Sequence, residues 1–241
     1  MDKDGDLDIL SASQNDNRIA WYENDGAADP SFTYASIATS ASAARGVHAA
    51  DMDNDGDMDI VSVSISDNTV AWYESDGAAD PSWTAADIAT SANNALGVYV
   101  ADMDNDGDMD IVSASAGDDA IAWYENNGAA DPSWTAADIA TSADGAAAVF
   151  VADLDRDGDM DIVSASYTDD AIAMYLNDGA GDPSWSASDI ATSADEAMSV
   201  FVADMDNDGD MDVVSASTAD DAIAWYENTT STYIGISAWT E

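Results

Sequence analysis

A nonapeptide, Asp-x-Asp-x-Asp-Gly-Asp-x-Asp, recurs with unchanged spacing at Asp51, Asp102, Asp153 and Asp204, each start 51 residues after the last. Asp2-Lys3-Asp4-Gly5-Asp6-Leu7-Asp8 is a fifth copy without the first aspartate. A fixed internal period overrides any domain count drawn from length, because each unit must bury its apolar face against a neighbour. Five carboxylates in nine residues repel one another in a compact loop unless a cation sits among them. Oxygen-only ligands on a short loop with a glycine hinge suit Ca2+ in particular. The chain therefore reads as a tandem array of calcium-binding units, with four complete sites and an incomplete fifth.

Aligned on the loop, every unit has the same order of short runs. An apolar run enters the loop, as in Val98-Tyr99-Val100-Ala101, and a second leaves it, as in Met109-Asp110-Ile111-Val112-Ser113-Ala114-Ser115. After a polar turn comes Ala120-Ile121-Ala122-Trp123-Tyr124-Glu125, and after a longer Gly/Asp/Pro turn comes Ser133-Trp134 through Thr141. Runs of this length, punctuated by Gly, Asn, Asp and Pro, are strands rather than helices. The alanine-rich fourth run and residues 142–148 have helical propensity, but propensity is a weak prior against a repeated strand pattern. Four strands in a unit of about 50 residues is the pattern of a β-propeller blade.

Two other calcium architectures are excluded. An EF-hand needs Glu at loop position twelve and flanking helices, whereas Ser62, Ser113, Ser164 and Ser215 stand there. A β-roll needs consecutive nonapeptides, and here they are a full unit apart. The expected fold is all-β: one propeller domain over residues 1–241, with repeats 1–51, 52–102, 103–153, 154–204 and 205–241. Counting one strand at Tyr233-Ile234-Gly235-Ile236 gives 19 strands, where a closed ring of five four-stranded blades needs 20. Closure shared by the two termini is the favoured reading, since an open ring exposes two apolar blade faces. A fragment of a six- or seven-bladed ring is the alternative, and Ser237-Ala238-Trp239-Thr240 resembles the start of another fourth run.

The metal loop and the run Met-Asp-Ile-Val-Ser-Ala-Ser resemble the FG-GAP and VCBS-type repeats of integrin α-subunit propellers, bacterial surface proteins and some lectins. The resemblance extends to Asn228. It implies that the loop joins the first two strands of each blade. It also implies side-chain ligation from loop positions one, three, five and nine, with a carbonyl from position seven. Those positions are Asp51, Asp53, Asp55, Asp57 and Asp59; Asp102, Asp104, Asp106, Asp108 and Asp110; Asp153, Asp155, Asp157, Asp159 and Asp161; Asp204, Asp206, Asp208, Asp210 and Asp212. Asp2, Asp4, Asp6 and Asp8 remain in the first copy.

Charge narrows the partners. The net charge is −46, from 50 acidic and 4 basic side chains, and the loops hold 24 of the acids. Five bound divalent ions would still leave about −36, which repels nucleic acid and anionic lipid. No stretch has the length of a membrane span, and Met1 already stands within the first loop, so no signal peptide is expected. There is no cysteine, hence no disulfide or thiolate metal site.

One histidine, no cysteine and no Gly-x-Ser-x-Gly give no nucleophilic set, and no pair of carboxylates outside the loops is singled out for glycosidase chemistry. His48 stands where other units carry Tyr99, Phe150 and Phe201, and reads as an aromatic substitute. Trp21, Trp72, Trp123 and Trp225 in the third runs read as packing, because the fourth unit replaces them with Met174. Trp83, Trp134 and Trp185, with Phe32 as counterpart, are candidates for exposed contact. The expected function is an extracellular or cell-surface, lectin-like binding or adhesion module, monomeric, with glycan or a protein surface as ligand. A purely structural segment of a larger surface protein and a carbohydrate-active enzyme are the rival readings.

Overall fold

The computed structural model describes residues 1–229 and 239–240, and these contain 19 strands and no helix. β1 (Ile9–Ser13), β2 (Arg18–Asn24) and β3 (Phe32–Ala38) form a three-stranded sheet. Four four-stranded sheets follow. They are β4 (Ala44–Ala50), β5 (Asp59–Ser64), β6 (Thr69–Ser75) and β7 (Trp83–Ala89); β8 (Ala95–Ala101), β9 (Asp110–Ser115), β10 (Ala120–Asn126) and β11 (Trp134–Ala140). Next come β12 (Ala146–Ala152), β13 (Asp161–Ser166), β14 (Ala171–Asn177) and β15 (Trp185–Ala191); then β16 (Ala197–Ala203), β17 (Asp212–Ser217), β18 (Ala222–Asn228) and β19 (Trp239–Thr240). Each is an antiparallel meander in chain order, and residues 142–145 form the turn before β12 rather than a helix.

The sheets stack in sequence and converge at their first strands. β4, β8, β12 and β16 lie against one another, while the fourth strands are splayed apart. Burial follows that geometry. Every residue of β5, β9 and β13 is buried, whereas the middles of β7, β11 and β15 are exposed. The third strands alternate between two partners: Ile121 and Trp123 pack on Ile162, Ala173 and Tyr175 of the next sheet, and Ala122 and Tyr124 pack on Val61, Val63 and Trp72 of the one before. Apolar runs without hydrophobic-polar alternation are what a sheet covered on both faces requires. Along the first strands, His48, Tyr99, Phe150 and Phe201 form a ladder with ring centroids 4.8, 4.9 and 5.0 Å apart. The imidazole occupies the place of an aromatic rung, as its position in the repeat suggests.

Among the described residues the sheets are not closed into a ring. The strand expected at Tyr233–Ile236 lies outside the described residues. Trp239 pairs with Asn228 as fourth strand of the fifth sheet, in the register of Trp185 with Asn177 and Trp134 with Asn126. Trp239 and Thr240 thus take the fourth-strand place of the fifth sheet. The described sheets form an open fan with two uncovered end faces. Ile223 is 81% exposed where Ile19, Ile121 and Ile172 are fully buried.

Candidate metal centres

Each complete loop joins the first strand of a sheet to the second and curls on its own aspartates. Oδ1 and Oδ2 of Asp51 accept the amides of Asp55 and Gly56 at 3.1 and 2.9 Å, and Asp102 does the same for Asp106 and Gly107 at 3.1 and 3.0 Å. Asp55 Oδ1 accepts the Asp57 amide at 2.8 Å. Glycine stands at position six because the chain turns there with φ of 88° at Gly56 and 97° at Gly107 and Gly158, where a Cβ is strained. Position four is also left-handed, with φ of 61° at Asn54 and Asn105 and 65° at Arg156; asparagine tolerates that conformation better than most residues.

The ninth-position aspartates are the anchors. Asp59, Asp110, Asp161 and Asp212 are each 1% exposed. Asp110 accepts the Met103 amide inside the loop at 3.1 Å and the Asn126 amide at the end of the third strand at 2.7 Å. Asp59, Asp161 and Asp212 repeat this pair of contacts. Burial pushes the carboxyl of Asp59 up to about 6 and those of Asp110 and Asp161 to about 7, against the pull of those backbone N–H groups. Burial first, and then the facing carboxylates of the loop, also raises Asp53 and Asp104.

Four groups of carboxylate oxygens lie within 4.8 Å of one another: Asp51, Asp53 and Asp55; Asp102, Asp104 and Asp106; Asp153, Asp155 and Asp161; Asp204, Asp206 and Asp212. Each can hold a metal ion. The donor set fits a hard cation, being all oxygen with no imidazole or thiolate. Asp204 adds a buried Oδ1 with no hydrogen-bond partner, which is costly unless a cation completes it. Asp157 and Asp208, at position five, lie outside these close groups, and so do Asp59 and Asp110. No such group forms from Asp2, Asp4, Asp6 and Asp8 among the described residues; there Asp8 meets the Met1 amino group and the Asn24 amide instead.

The side chains at position seven are engaged elsewhere. Asp108 accepts Asn54 Nδ2 of the preceding loop at 2.6 Å, and Asp159 accepts Asn105 Nδ2 at 2.7 Å. Lys3 pairs with Asp57 and Arg156 with Asp210 in the same way. Position four of one loop is thus tied to position seven of the next at all four junctions. Sequence reasoning missed this link, although position four is a hydrogen-bond donor in every copy and never an acid. A second tie runs backwards: Asn126, Asn177 and Asn228 donate to the carbonyls of Met52, Met103 and Leu154 in the preceding loop at 2.8, 2.7 and 2.9 Å.

At the other end of the second and third strands, three crevices of about 510, 130 and 420 Å³ open between successive sheets. Each holds a tyrosine and two aspartates: Tyr73, Asp67 and Asp87; Tyr124, Asp118 and Asp138; Tyr175, Asp169 and Asp189. Burial raises the three tyrosines, keeping the phenols as neutral donors. This constellation also recurs every 51 residues, but without a known motif to flag it. The tryptophans divide by place. Trp21, Trp72 and Trp123 are buried between sheets and Trp225 is 43% exposed at the open end. Trp83, Trp134 and Trp185 are half-buried against the sheet edges, and Phe32 is 43% exposed.

The FG-GAP-like repeat model matches residues 1–62, 59–113, 103–164 and 153–215, nearly nine-tenths of the chain. The chain belongs to the FG-GAP-like repeat family. No curated protein matches it. Among solved structures, this FG-GAP-like chain is similar to a protein from Lactobacillus plantarum, with TM-score 0.62 and 17% identity over 97% of this chain and 65% of that one. It is also similar to the V. cholerae biofilm matrix protein Bap1, with TM-score 0.50 and 18% identity over 92% of this chain and 37% of that one. The chain thus spans less than two thirds of either. At such identity the likeness speaks for the fold alone. Among the described residues no helix is long and apolar enough to cross a membrane.

Proposed function

We propose that this FG-GAP-like chain is a calcium-stabilised β-propeller module of an extracellular or cell-surface protein, with Ca2+ structural in the loops. The observation that carries the reading is the set of four aspartate groups, each with its oxygens within 4.8 Å, in loops of identical spacing. Positions one, three, five and nine would hold the ion, which would neutralise carboxylates that otherwise repel. A ligand that binds only the folded state stabilises it by RT ln(1 + [L]/Kd), about 2.7 kcal/mol per site at 100 Kd. Thermal unfolding with calcium and then with a chelator tests this: a large drop in Tm is expected, reversed by Ca2+ more effectively than by Mg2+. An unchanged melt would remove the role.

Within that reading the module binds a ligand rather than only spacing other domains. The three repeated crevices support this, since hydroxyl donors and carboxylate acceptors beside an apolar wall suit a polyhydroxyl ligand such as a glycan. Weak equivalent sites gain by avidity. No catalysis is assigned, because each aspartate–tyrosine set recurs unaltered. A glycan array in calcium, repeated with Asp87→Asn and Asp189→Asn, checks the proposal. Silence across all sugars would favour the purely structural segment.

A further inference from the structure

The anchor aspartates of successive loops are joined by one buried line of hydrogen bonds. Asp59 Oδ2 accepts the Met52 amide at 3.2 Å within its own loop. The Met52 carbonyl accepts Asn126 Nδ2 from the next sheet at 2.8 Å, and the Asn126 amide donates to Asp110 Oδ1 at 2.7 Å. Asp110 Oδ2 then accepts the Met103 amide at 3.1 Å. The Met103 carbonyl accepts Asn177 Nδ2 at 2.7 Å, and the Asn177 amide donates to Asp161 Oδ1 at 2.8 Å. Leu154 and Asn228 carry the same steps on to Asp212. The anchors, the three asparagines and Met52, Met103 and Leu154 are all buried.

The asparagine at each step is fully committed. Asn126 Nδ2 also donates to the Met109 carbonyl of its own loop at 3.1 Å, and its Oδ1 accepts the Gly128 amide at 3.1 Å. Asn177 repeats both contacts with Met160 and Gly179. One side chain is thus held by the preceding loop, by its own loop and by the turn beyond. The tie between Asn54 and Asp108 is exposed by contrast, where water competes with it, and in a dry interior a hydrogen bond is stronger. In the second sheet Ser75 stands in the asparagine place. Its amide still donates to Asp59 at 2.8 Å, but its hydroxyl takes the Gly77 amide at 3.2 Å and forms no tie to the first loop among the described residues. The line therefore joins the four loops that have close oxygen groups and omits the one that has none.

We infer, on the calcium reading of the loops, that Asn126, Asn177 and Asn228 couple the four metal sites, so that filling one loop raises the affinity of its neighbours. Asp161 and Asp212 stand within the close oxygen groups, whereas Asp59 and Asp110 stand outside them. A cation in either of the first two complete loops has to bring that anchor nearer the other carboxylates. The anchor holds a loop amide, the carbonyl of that residue holds the next asparagine, and the asparagine amide holds the next anchor. Ordering one anchor thus orders the next, and an ion arriving second freezes out less conformational freedom, which is positive and reciprocal coupling. Charge acts the other way, because each bound dication weakens the field that attracts the next. That opposition is screened beyond about 8 Å at 0.15 M salt, and buried contacts are screened much less.

Calcium titration of the full chain against a fluorescent chelator at about 0.15 M salt reads the coupling as a Hill coefficient. With an affinity gain of about tenfold per junction, four sites in line give a coefficient of about 2. Asn177→Ser cuts the line at its centre and keeps the backbone donor, as Ser75 does. Four ions should still bind, with the coefficient down to about 1.5. Asn126→Ser, Asn177→Ser and Asn228→Ser together should bring it to about 1. Asn68→Gly is the control for general weakening. It removes the bond from the Asn94 amide to Asn68 Oδ1, 3.1 Å, at the far end of the strands, where glycine suits the left-handed turn. That variant should melt lower and keep the wild-type coefficient. Circular dichroism checks that each chain is folded before calcium is added. A wild type that binds its ions without cooperativity, a coefficient unmoved by Asn177→Ser, or an equal fall in Asn68→Gly would each overturn the inference. So would a calcium-free wild type that is unfolded at the titration temperature, because folding alone would then link the sites. Binding of no calcium at all sinks the calcium reading itself, whereas four ions bound independently leave that reading standing and remove only the coupling.

Discussion

The third sheet and the fifth carry nearly the same residues in different surroundings. Ile121 and Trp123 are 0% and 4% exposed, while Ile223 and Trp225, in the same strand positions, are 81% and 43% exposed. Local sequence makes each sheet, but only a neighbour makes it a core. In such arrays stability is approximately a sum of unit and nearest-neighbour terms, so the interior junctions carry it and the end faces contribute little. Trp123→Ala should therefore cost about 3–5 kcal/mol by emptying a close-packed junction, while Trp225→Ala should cost under about 1 kcal/mol in the dilute protein. Urea unfolding of both variants decides the matter, and equal losses would mean that the fifth sheet is covered in solution.

The loops give the comparison an electrostatic form. Asp59, Asp110 and Asp161 have carboxyls raised by burial to about 6, 7 and 7 from an ordinary 3.8. A raised acid favours folding below its unfolded pKa and loses that contribution as pH climbs through its folded value. Metal-free protein should thus be most stable near pH 4 to 5 and lose stability toward pH 8. Saturating calcium, which takes the deprotonated carboxylates, should abolish or reverse the trend. Asp110→Asn should flatten the metal-free profile, whereas Asp8→Asn in the first loop, where burial is offset by the Met1 amino group and the carboxyl lies below its usual value, should not. Melts across pH with and without a chelator read out both.

A smaller effect is expected at the turn after the third strand. Gly128 has φ of 64°, and a Cβ there would collide with the carboxylate of Asp108, which is held by Asn54. Gly128→Ala should cost about 1–3 kcal/mol, from left-handed strain and a displaced inter-sheet tie. Gly26→Ala meets Asp6, whose carboxylate is held by no inter-loop donor among the described residues and can swing away, so its cost should be the strain alone, about 1 kcal/mol. Equal losses at the two glycines would show that the tie contributes nothing.

Much of this was legible in the chain because the repeat supplies its own alignment. The strand order, the loop placement and the packing role of Trp72 follow from runs and turns that recur at one spacing. The site was legible where chemistry is local: aspartates two residues apart on a curled loop face one another whatever surrounds them. It was illegible where two units meet. Whether Asp108 ligates or pairs depends on Asn54 in a different sheet, and sequence distance conceals that neighbour. The tyrosine–aspartate crevices arise from the splay of the fourth strands, a consequence of how sheets converge rather than of any one run. Closure was not legible for a related reason: apolar end faces argue for a ring, yet the described sheets are not closed, and Trp239 pairs as a fourth-strand residue of the fifth sheet.

The smallest expected effect lies in the aromatic ladder. His48 lies 4.8 Å from Tyr99, and burial lowers its pKa below the usual 6.5. A depressed histidine favours folding above its unfolded pKa and loses that contribution as pH falls toward its folded value, because the unfolded chain takes the proton more readily. His48→Phe gives this rung the ring that Phe150 and Phe201 already supply. The variant should match wild type above about pH 7.5 and be modestly more stable near pH 5, by an increment that grows as pH falls. Calcium must be held saturating throughout, so that proton uptake by the loop carboxylates is not mistaken for that of the imidazole. Should the two proteins melt together at every pH, the imidazole is not shielded from water and the ladder is open at its first rung, as it is at Phe201, which is 56% exposed.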